Sequence, residues 1–388
     1  MTASIARTGE ALERATSPAP LPSAVLTHHW LVRPRGGEKV LEALSELVPD
    51  AEIYTLVYDA AGMGDSPLTR RRVHTSVLQR LPGGTRHYPR LLPVLPWAAR
   101  RMRLPDVDLV VCSDASVAKA MQASERSTVV CYCHSPMRYA YEAALHREYR
   151  DTLPLPVRPF WGLVTAAARS IDRRAARRVD LFVANSAHVA RRIERVYGRR
   201  AVVVFPPVDV PAAPVIGTRD DFYLCIGYHT RYKRLDLAVE ACRRLGRRLV
   251  AIGTGPEVDR LRLRRAPNVE VLDWQPDAVV HEHLARARGL LFPGEEDFGI
   301  VPVEAFSRGC PVAAYAIGGA TETVEPGVTG VWFERQSADD LVAAMRRLEA
   351  TEFDPEAMHR SAQRFARDRF LAEMREVLAG ALAGRLRS

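Results

Sequence analysis

The sequence predicts an α/β protein of two similar domains, each a parallel sheet covered by helices on both faces. Three observations carry that expectation. Short apolar runs of strand length alternate with helical patterns along most of the 388 residues. Such alternation implies buried parallel strands rather than a meander. A Pro-rich stretch at 205–221 interrupts the pattern, which then restarts.

In chain order, 24–28 is the first strand and a Gly-containing loop follows it. A helix over 38–47 then sets Val40, Leu41, Leu44 and Leu47 on one face. Further strands of the first domain are expected at 108–112, 128–133 and 180–184. Beyond the linker come strands at 222–226, 248–252, 269–272, 289–292 and 312–316. Helices over 235–245 and 257–264, and one starting near Pro302, alternate with them. Ser337-Ala-Asp-Asp340 reads as a capping-box-like start for a helix over 341–348. The domain limits expected are 21–208 and 209–365, with 1–20 a mobile polar lead-in. A nucleotide-like ligand would bind at strand carboxyl ends, in the cleft between the two domains.

Composition narrows the function. At 47% hydrophobic the chain is too apolar for disorder, and no apolar run approaches the roughly 18 residues that span a bilayer. Its six cysteines form no C-x-x-C pair, so reduced core thiols in a reducing compartment are expected. With no signal-like start, the expected location is cytoplasmic or peripheral on an inner membrane face. The net charge of +9 attracts polyanions. The cations are dispersed, though, and no recognition motif with stacking aromatics accompanies them, so no nucleic-acid partner is expected. Of the 55 basic residues only Lys39, Lys119 and Lys233 are lysine.

The chemistry sits in a few segments. At 291–306 a strand enters a Gly-rich loop and then a helix with Pro302 in its first turn. The free N–H groups of Gly299, Ile300 and Val301, with the helix dipole, form an anion site suited to a diphosphate. Glu296 and Glu304, spaced Glu-x7-Glu, are good acceptors for sugar hydroxyls beside it. Arg231-Tyr-Lys233-Arg234 follows a strand and places cations where a leaving diphosphate develops charge. Gly36-Gly37 and Gly318-Gly319 are tight turns opening helices, where backbone can approach a ligand closely. His134 ends a buried strand at a cleft tip, and Asn185-Ser186 is a similar strand tip and helix cap. Gly253-Thr-Gly255 reads as a structural turn: its sixth position is Val258, and its strand is not the first of its domain. No metal-ligand cluster is visible.

This set resembles the retaining glycosyltransferases of family 4, with the GT-B fold of two Rossmann-like domains facing a central cleft, from about His28 to Phe370. The Glu296–Glu304 spacing, the Tyr-Lys-Arg helix start and the Gly-Gly pairs are its most specific parts. His28-His-Trp, Gly36-Gly-Glu-Lys39, Ala118-Lys119 and Cys133-His134-Ser-Pro-Met-Arg138-Tyr139 resemble a bacterial mannosyltransferase-like branch serving polysaccharide or lipid-linked glycan assembly. The resemblance implies roles: Glu304 on the donor's ribose hydroxyls, Glu296 on the donor sugar, and Lys233 with an arginine on the diphosphate. His134 would stand by the transferred sugar and acceptor, and Gly36 and Gly37 would approach the phosphates. Lys39 and Lys119 carry no implied role. The chain departs from the family at the position five before Lys233, where an arginine is usual and Tyr228 stands; Arg231 is the expected substitute.

The implied reaction moves a hexose, with mannose from GDP-mannose favoured, to a hydroxyl of a glycan or lipid-linked acceptor. It needs no cofactor and no metal, fixed cations standing in for one. A UDP-sugar donor, and a sugar-nucleotide-binding protein without catalysis, are the alternatives. Two further expectations are a C-terminal helix at 366–388 returning to the first domain, and an anionic membrane surface met by the basic, aromatic segment 86–103.

Overall fold

The computed structural model describes residues 21–384 apart from 82, 83, 86–90, 154 and 265. The expected lead-in at 1–20 and the first part of segment 86–103 therefore lie outside the described residues. The first sheet has seven strands: β1 (Ala24–His28), β2 (Glu52–Thr55), β3 (Val73–Thr75), β4 (Leu109–Asp114), β5 (Thr128–Cys133), β6 (Leu181–Ala184) and β7 (Ala201–Val203). Their order is β3-β2-β1-β4-β5-β6-β7. The second has six: β8 (Phe222–Ile226), β9 (Arg248–Ile252), β10 (Val269–Leu272), β11 (Gly289–Phe292), β12 (Val312–Tyr315) and β13 (Gly330–Phe333), in the order β10-β9-β8-β11-β12-β13. Every ladder is parallel.

Strand order reverses between β1 and β4 in one sheet and between β8 and β11 in the other. At such a reversal, successive connections leave in opposite directions and open a crevice beyond the strands' carboxyl ends. Four strands carry too little pattern to read in advance. β2, β3, β7 and β13 are three or four residues long; β3, β7 and β13 are sheet edges and β2 lies beside one.

Five helices frame the crevices: α1 (Gly36–Leu47), α2 (Ala187–Tyr197), α3 (Leu235–Leu245), α4 (Ile300–Ser307) and α5 (Arg367–Leu382). The first begins two residues earlier than the apolar pattern suggests. Gly36 and Gly37 are thus its opening residues rather than a turn before it, with extended Arg35 as the cap. The helix after Ser337 likewise starts at once, at Ala338, because the Ser337 hydroxyl accepts from Asp340 N.

Both faces of the first sheet are covered, and β4 is buried along its whole length. Leu41 and Leu44 of α1 pack with Leu26, Val111 and Val130. The same core contains Phe370, Met374 and Leu378 of α5, all fully buried. The final helix thus packs against the first sheet, although its chain leaves from the second domain. The crossing at 365–366 lies beside the outgoing one: Val208 N donates to Phe365 O at 2.9 Å. All six cysteines are buried and unpaired.

Candidate active site

The two crevices face each other and share a cleft of about 480 Å³. His134, Gly36 and Gly37 line it from the first domain; Lys233, Glu296, Gly299, Ile300, Val301 and Glu304 line it from the second. Of the residues expected at the site, Arg231 alone does not. It lines a larger hollow of about 770 Å³ on the second domain with Arg234, Glu257 and Arg260, away from all the others. The cause is local. Arg231–Lys233 is a single 3-10 turn, in which successive side chains point about 120° apart, so the turn that aims Lys233 inward aims Arg231 elsewhere. Arg234 is no substitute: its backbone is left-handed (φ 55°) and its guanidinium is bonded to Asp236 at 2.9 Å.

Lys233 Nζ lies 2.6 Å from Glu296 Oε1. Burial opposes its charge, but the Glu296 carboxylate outweighs that and holds the ammonium well above its ordinary pKa. The loop carrying Glu296 rests on the second Gly pair. Gly319 N donates to Glu296 O at 2.8 Å, and a Cβ on Gly319 would meet the Phe298 backbone at 2.3 Å. That pair supports the Glu296 loop from beneath and does not itself line the cleft.

Glycine at 299 is required by its positive φ of 88°. It caps α4 without any side chain bonding the helix's first amides, leaving them for an anion. The start of α1 abuts the same point, since a Cβ on Gly36 would lie 2.9 Å from Ile300 Cδ1. Two helix N-termini, each with partial positive charge, therefore converge on one place.

Glu304 lies one turn into α4, and Lys39 of α1 reaches it across the cleft: Nζ to Oε1 is 3.2 Å, with Asp277 on the other side at 3.0 Å. Sequence reasoning gave Lys39 no role. The scarcity of lysine was the signal, because a compact ammonium can join two carboxylates where a planar guanidinium demands a fork. Asp297 was missed as well. It pairs with Arg192 and lies 3.7 Å from Arg138, both from the first domain, and these cations hold its carboxyl below the usual range although burial pushes the other way. Next to it, Ser186 Oγ donates to Asp297 O at 2.6 Å. Glu322 accepts from Ala187 N and His188 N at 2.7 and 2.8 Å, so an acid of the second domain caps α2 of the first.

His134 directly follows β5, and its Nε2 lies 2.8 Å from Ser113 Oγ, which is also 3.0 Å from His28 Nδ1. One hydroxyl proton serves a single imidazole, so Ser113 donates to one ring and accepts from the other. Burial, reinforced by His28, lowers the His134 pKa to about 3. Its ring is therefore neutral around neutral pH. Among the described residues no group of three or more His, Cys, Asp or Glu is placed to hold a metal ion. No described helix is long and apolar enough to cross a membrane.

Both domains have counterparts among known proteins. Residues 34–211 match the family model described as Glycosyltransferase Family 4, and residues 210–365 match that described as Glycosyl transferases group 1. The D-inositol 3-phosphate glycosyltransferase of Geodermatophilus obscurus is 31% identical over 209 residues, 45% of this chain and 46% of that protein. The alpha-1,3/1,6-mannosyltransferase alg-2 of Neurospora crassa is 44% identical over 82 residues, 21% of this chain and 15% of that protein. The chain therefore spans about half or less of the curated relatives' length in these matches. Among solved structures, HepE of Anabaena in complex with UDP-glucose superposes over 93% of this chain and 100% of its own, with TM-score 0.65 and 15% identity. The catalytic domain of starch synthase IV of Arabidopsis thaliana, bound to ADP and acarbose, covers 93% of this chain and 99% of its own at TM-score 0.61 and 13% identity. The two matching models, one laid on each of the two facing parallel sheets, together run from 34 to 365: the chain carries a Glycosyltransferase Family 4 domain followed by a Glycosyl transferases group 1 domain, arranged in the GT-B fold.

Proposed function

We propose that the protein is a retaining glycosyltransferase that moves a hexose from a nucleoside diphosphate to a hydroxyl of a glycan or lipid-linked acceptor in polysaccharide or glycoconjugate assembly. The observation that carries this reading is the convergence of two helix N-termini, the Lys233 ammonium and a neutral His134 on one cleft at both switch points.

The chemistry follows from these residues. The bond between the sugar's C1 and the β-phosphate oxygen breaks while the acceptor oxygen bonds C1 from the same face. The acceptor's proton passes to the departing phosphate oxygen. Negative charge grows on the diphosphate, where Lys233 and the α4 amides already point, so little reorganisation is needed as it forms. Glu304, steadied by Lys39, takes the ribose hydroxyls in this reading, which the Lys39–Glu304 contact supports. Glu296 is placed for the sugar, with one oxygen held by Lys233, which disfavours it as a nucleophile for double displacement. Fixed cations take the part a metal would play, so activity should survive a chelator. Loss on chelation with recovery on adding magnesium would count against this.

GDP-mannose is the first donor to test, since the alg-2 relative is a mannosyltransferase. A UDP-sugar is the second reading, favoured by the UDP-glucose complex of HepE. A screen of GDP-, UDP- and ADP-sugars for donor hydrolysis and thermal stabilisation decides between them, with one clear winner expected. Glu304→Ala separates catalysis from mere binding: transfer should collapse while the fold stays intact.

A lipid-linked acceptor fits a protein working on the cytoplasmic face of an anionic membrane. Trp97 is 47% exposed, and the Arg101 guanidinium stacks over it at 3.8 Å. Such a pairing suits the bilayer interface. Sedimentation with anionic but not neutral vesicles at low salt is the expected result.

A further inference from the structure

Four cationic side chains line the cleft: Arg33 and Arg35 from the loop before α1, Lys39, and Lys233. Both lysines are already bound to acids: Lys39 to Asp277 and Glu304, Lys233 to Glu296. The cleft-lining carboxylates also include Glu38 and Asp297. Without further positive charge a diphosphate would meet two neutralised ammonium groups and helix amides. Arg33 and Arg35 are exposed, and neither has an ion pair with an acid among the described residues. The Arg35 guanidinium has crossed the cleft: its carbon lies 5.2 Å from the centre of the Tyr228 ring. Tyr228 adjoins Gly227, where a Cβ would stand 3.0 Å from Lys233 Nζ. The stack therefore holds Arg35 on the wall that carries the Lys233 ammonium.

A cation on an exposed aromatic face is held weakly. A diphosphate offers the same guanidinium two charge-assisted hydrogen bonds in fork geometry and should displace the ring. Tyr228 also occupies the position five before Lys233, and both arginines of the Lys233 turn are directed elsewhere.

We propose that Arg35, reaching over from the first domain and parked on Tyr228, supplies the guanidinium that grips the donor's diphosphate, so that this subsite is completed across the cleft. The proposal rests on the nucleoside-diphosphate-sugar reading above. Isothermal titration of GDP, UDP and ADP, and of the matching monophosphates, tests both.

The wild-type protein should bind one nucleoside diphosphate. Arg35→Ala should weaken that binding at least about tenfold, as loss of a charged hydrogen bond predicts, while the monophosphate changes much less. Arg35→Lys should recover little, and Arg35→Ala with Tyr228→Arg should regain most of the loss. An unchanged melting temperature of free Arg35→Ala excludes misfolding as the cause. Arg35→Ala binding the diphosphate as tightly as wild type, or weakening di- and monophosphate equally, overturns the proposal and leaves the donor reading standing. A wild-type protein that binds no nucleoside diphosphate overturns both.

Discussion

Replacing Lys119 with Met should remove a large part of the first domain's stability. Its ammonium lies 2.6 Å from Asp114 and 2.6 Å from Asp172, and all three side chains are essentially inaccessible to water. The two acids have other donors: Asp114 accepts from Ser116 N and Ala118 N, and Asp172 Oδ2 accepts from the Tyr141 and Tyr197 hydroxyls. None of these neutralises charge. Removing one partner of a buried pair costs about 3–5 kcal/mol, and one cation here serves two anions, so the upper end, about 5 kcal/mol, is expected. For a domain of this size that is a fall in Tm of roughly 10–20 °C.

The loss should depend on pH with a definite sign. In the wild type, burial raises the Asp114 pKa but Lys119 and two amides win and hold it low; that stability is present above the unfolded carboxylate pKa and lost as acid is added. In the variant, an unpaired buried carboxylate has its folded pKa raised. Its penalty is then absent below the unfolded carboxylate pKa, grows as pH rises from there to the raised folded value, and levels off above it. Thermal unfolding followed by circular dichroism should therefore show a smaller gap between variant and wild type at pH 5 than at pH 8. A gap under about 1 kcal/mol, or an equal gap at both pH values, would refute the reasoning.

Three further outcomes are expected. Lys233→Ala should cut kcat by about 100-fold or more, the usual effect of removing one donor to a developing anion, whereas Arg231→Ala should stay within about twofold, as surface changes away from a site do; assay of donor turnover compares them. With His134 neutral down to a pKa of about 3, kcat/KM between pH 5 and 8 should show no inflection assignable to its imidazole, and an inflection near 6.5 that vanishes in His134→Ala would contradict this. Ending the chain after Phe365 removes the buried Phe370, Met374 and Leu378, each worth roughly 1.5–3 kcal/mol; limited proteolysis should find the first domain unfolded and the second intact.

Much of this fold was legible because its central strands are short and apolar and end at turn-forming residues, Ser, Asn or Pro after β4, β5 and β6 and Gly after β8, β9 and β11. β4, β5, β6, β8, β9 and β11 all announce themselves that way, and the cleft follows from the order in which they return. The edge strands β3 and β7 were not legible, since residues 73–75 and 201–203 are too few to display a period, whereas the edge strand β10 was. At the site, Glu296, Glu304 and the α4 start were readable because a motif keeps them close in the chain. Arg231 was misjudged because proximity to Lys233 in sequence says nothing about which side of a tight turn a side chain leaves by. Lys39, Asp297 and the Arg35–Tyr228 stack were hidden for the opposite reason. Each is defined by a partner in the other domain, as far as 265 residues away for Lys39 and Glu304.

The two passages between the domains lie side by side, joined by the hydrogen bond from Val208 to Phe365 and by the bridge between Val208 and Ala366. A single tether would let the halves swivel and slide; a pair of adjacent tethers resists both and favours one motion, rotation about their common line. Any opening or closing of the cleft would then follow one arc. Lys39 with Glu304 and Arg192 with Asp297 stand on opposite sides of the cleft, so one rotation about that line would part and rejoin both pairs together.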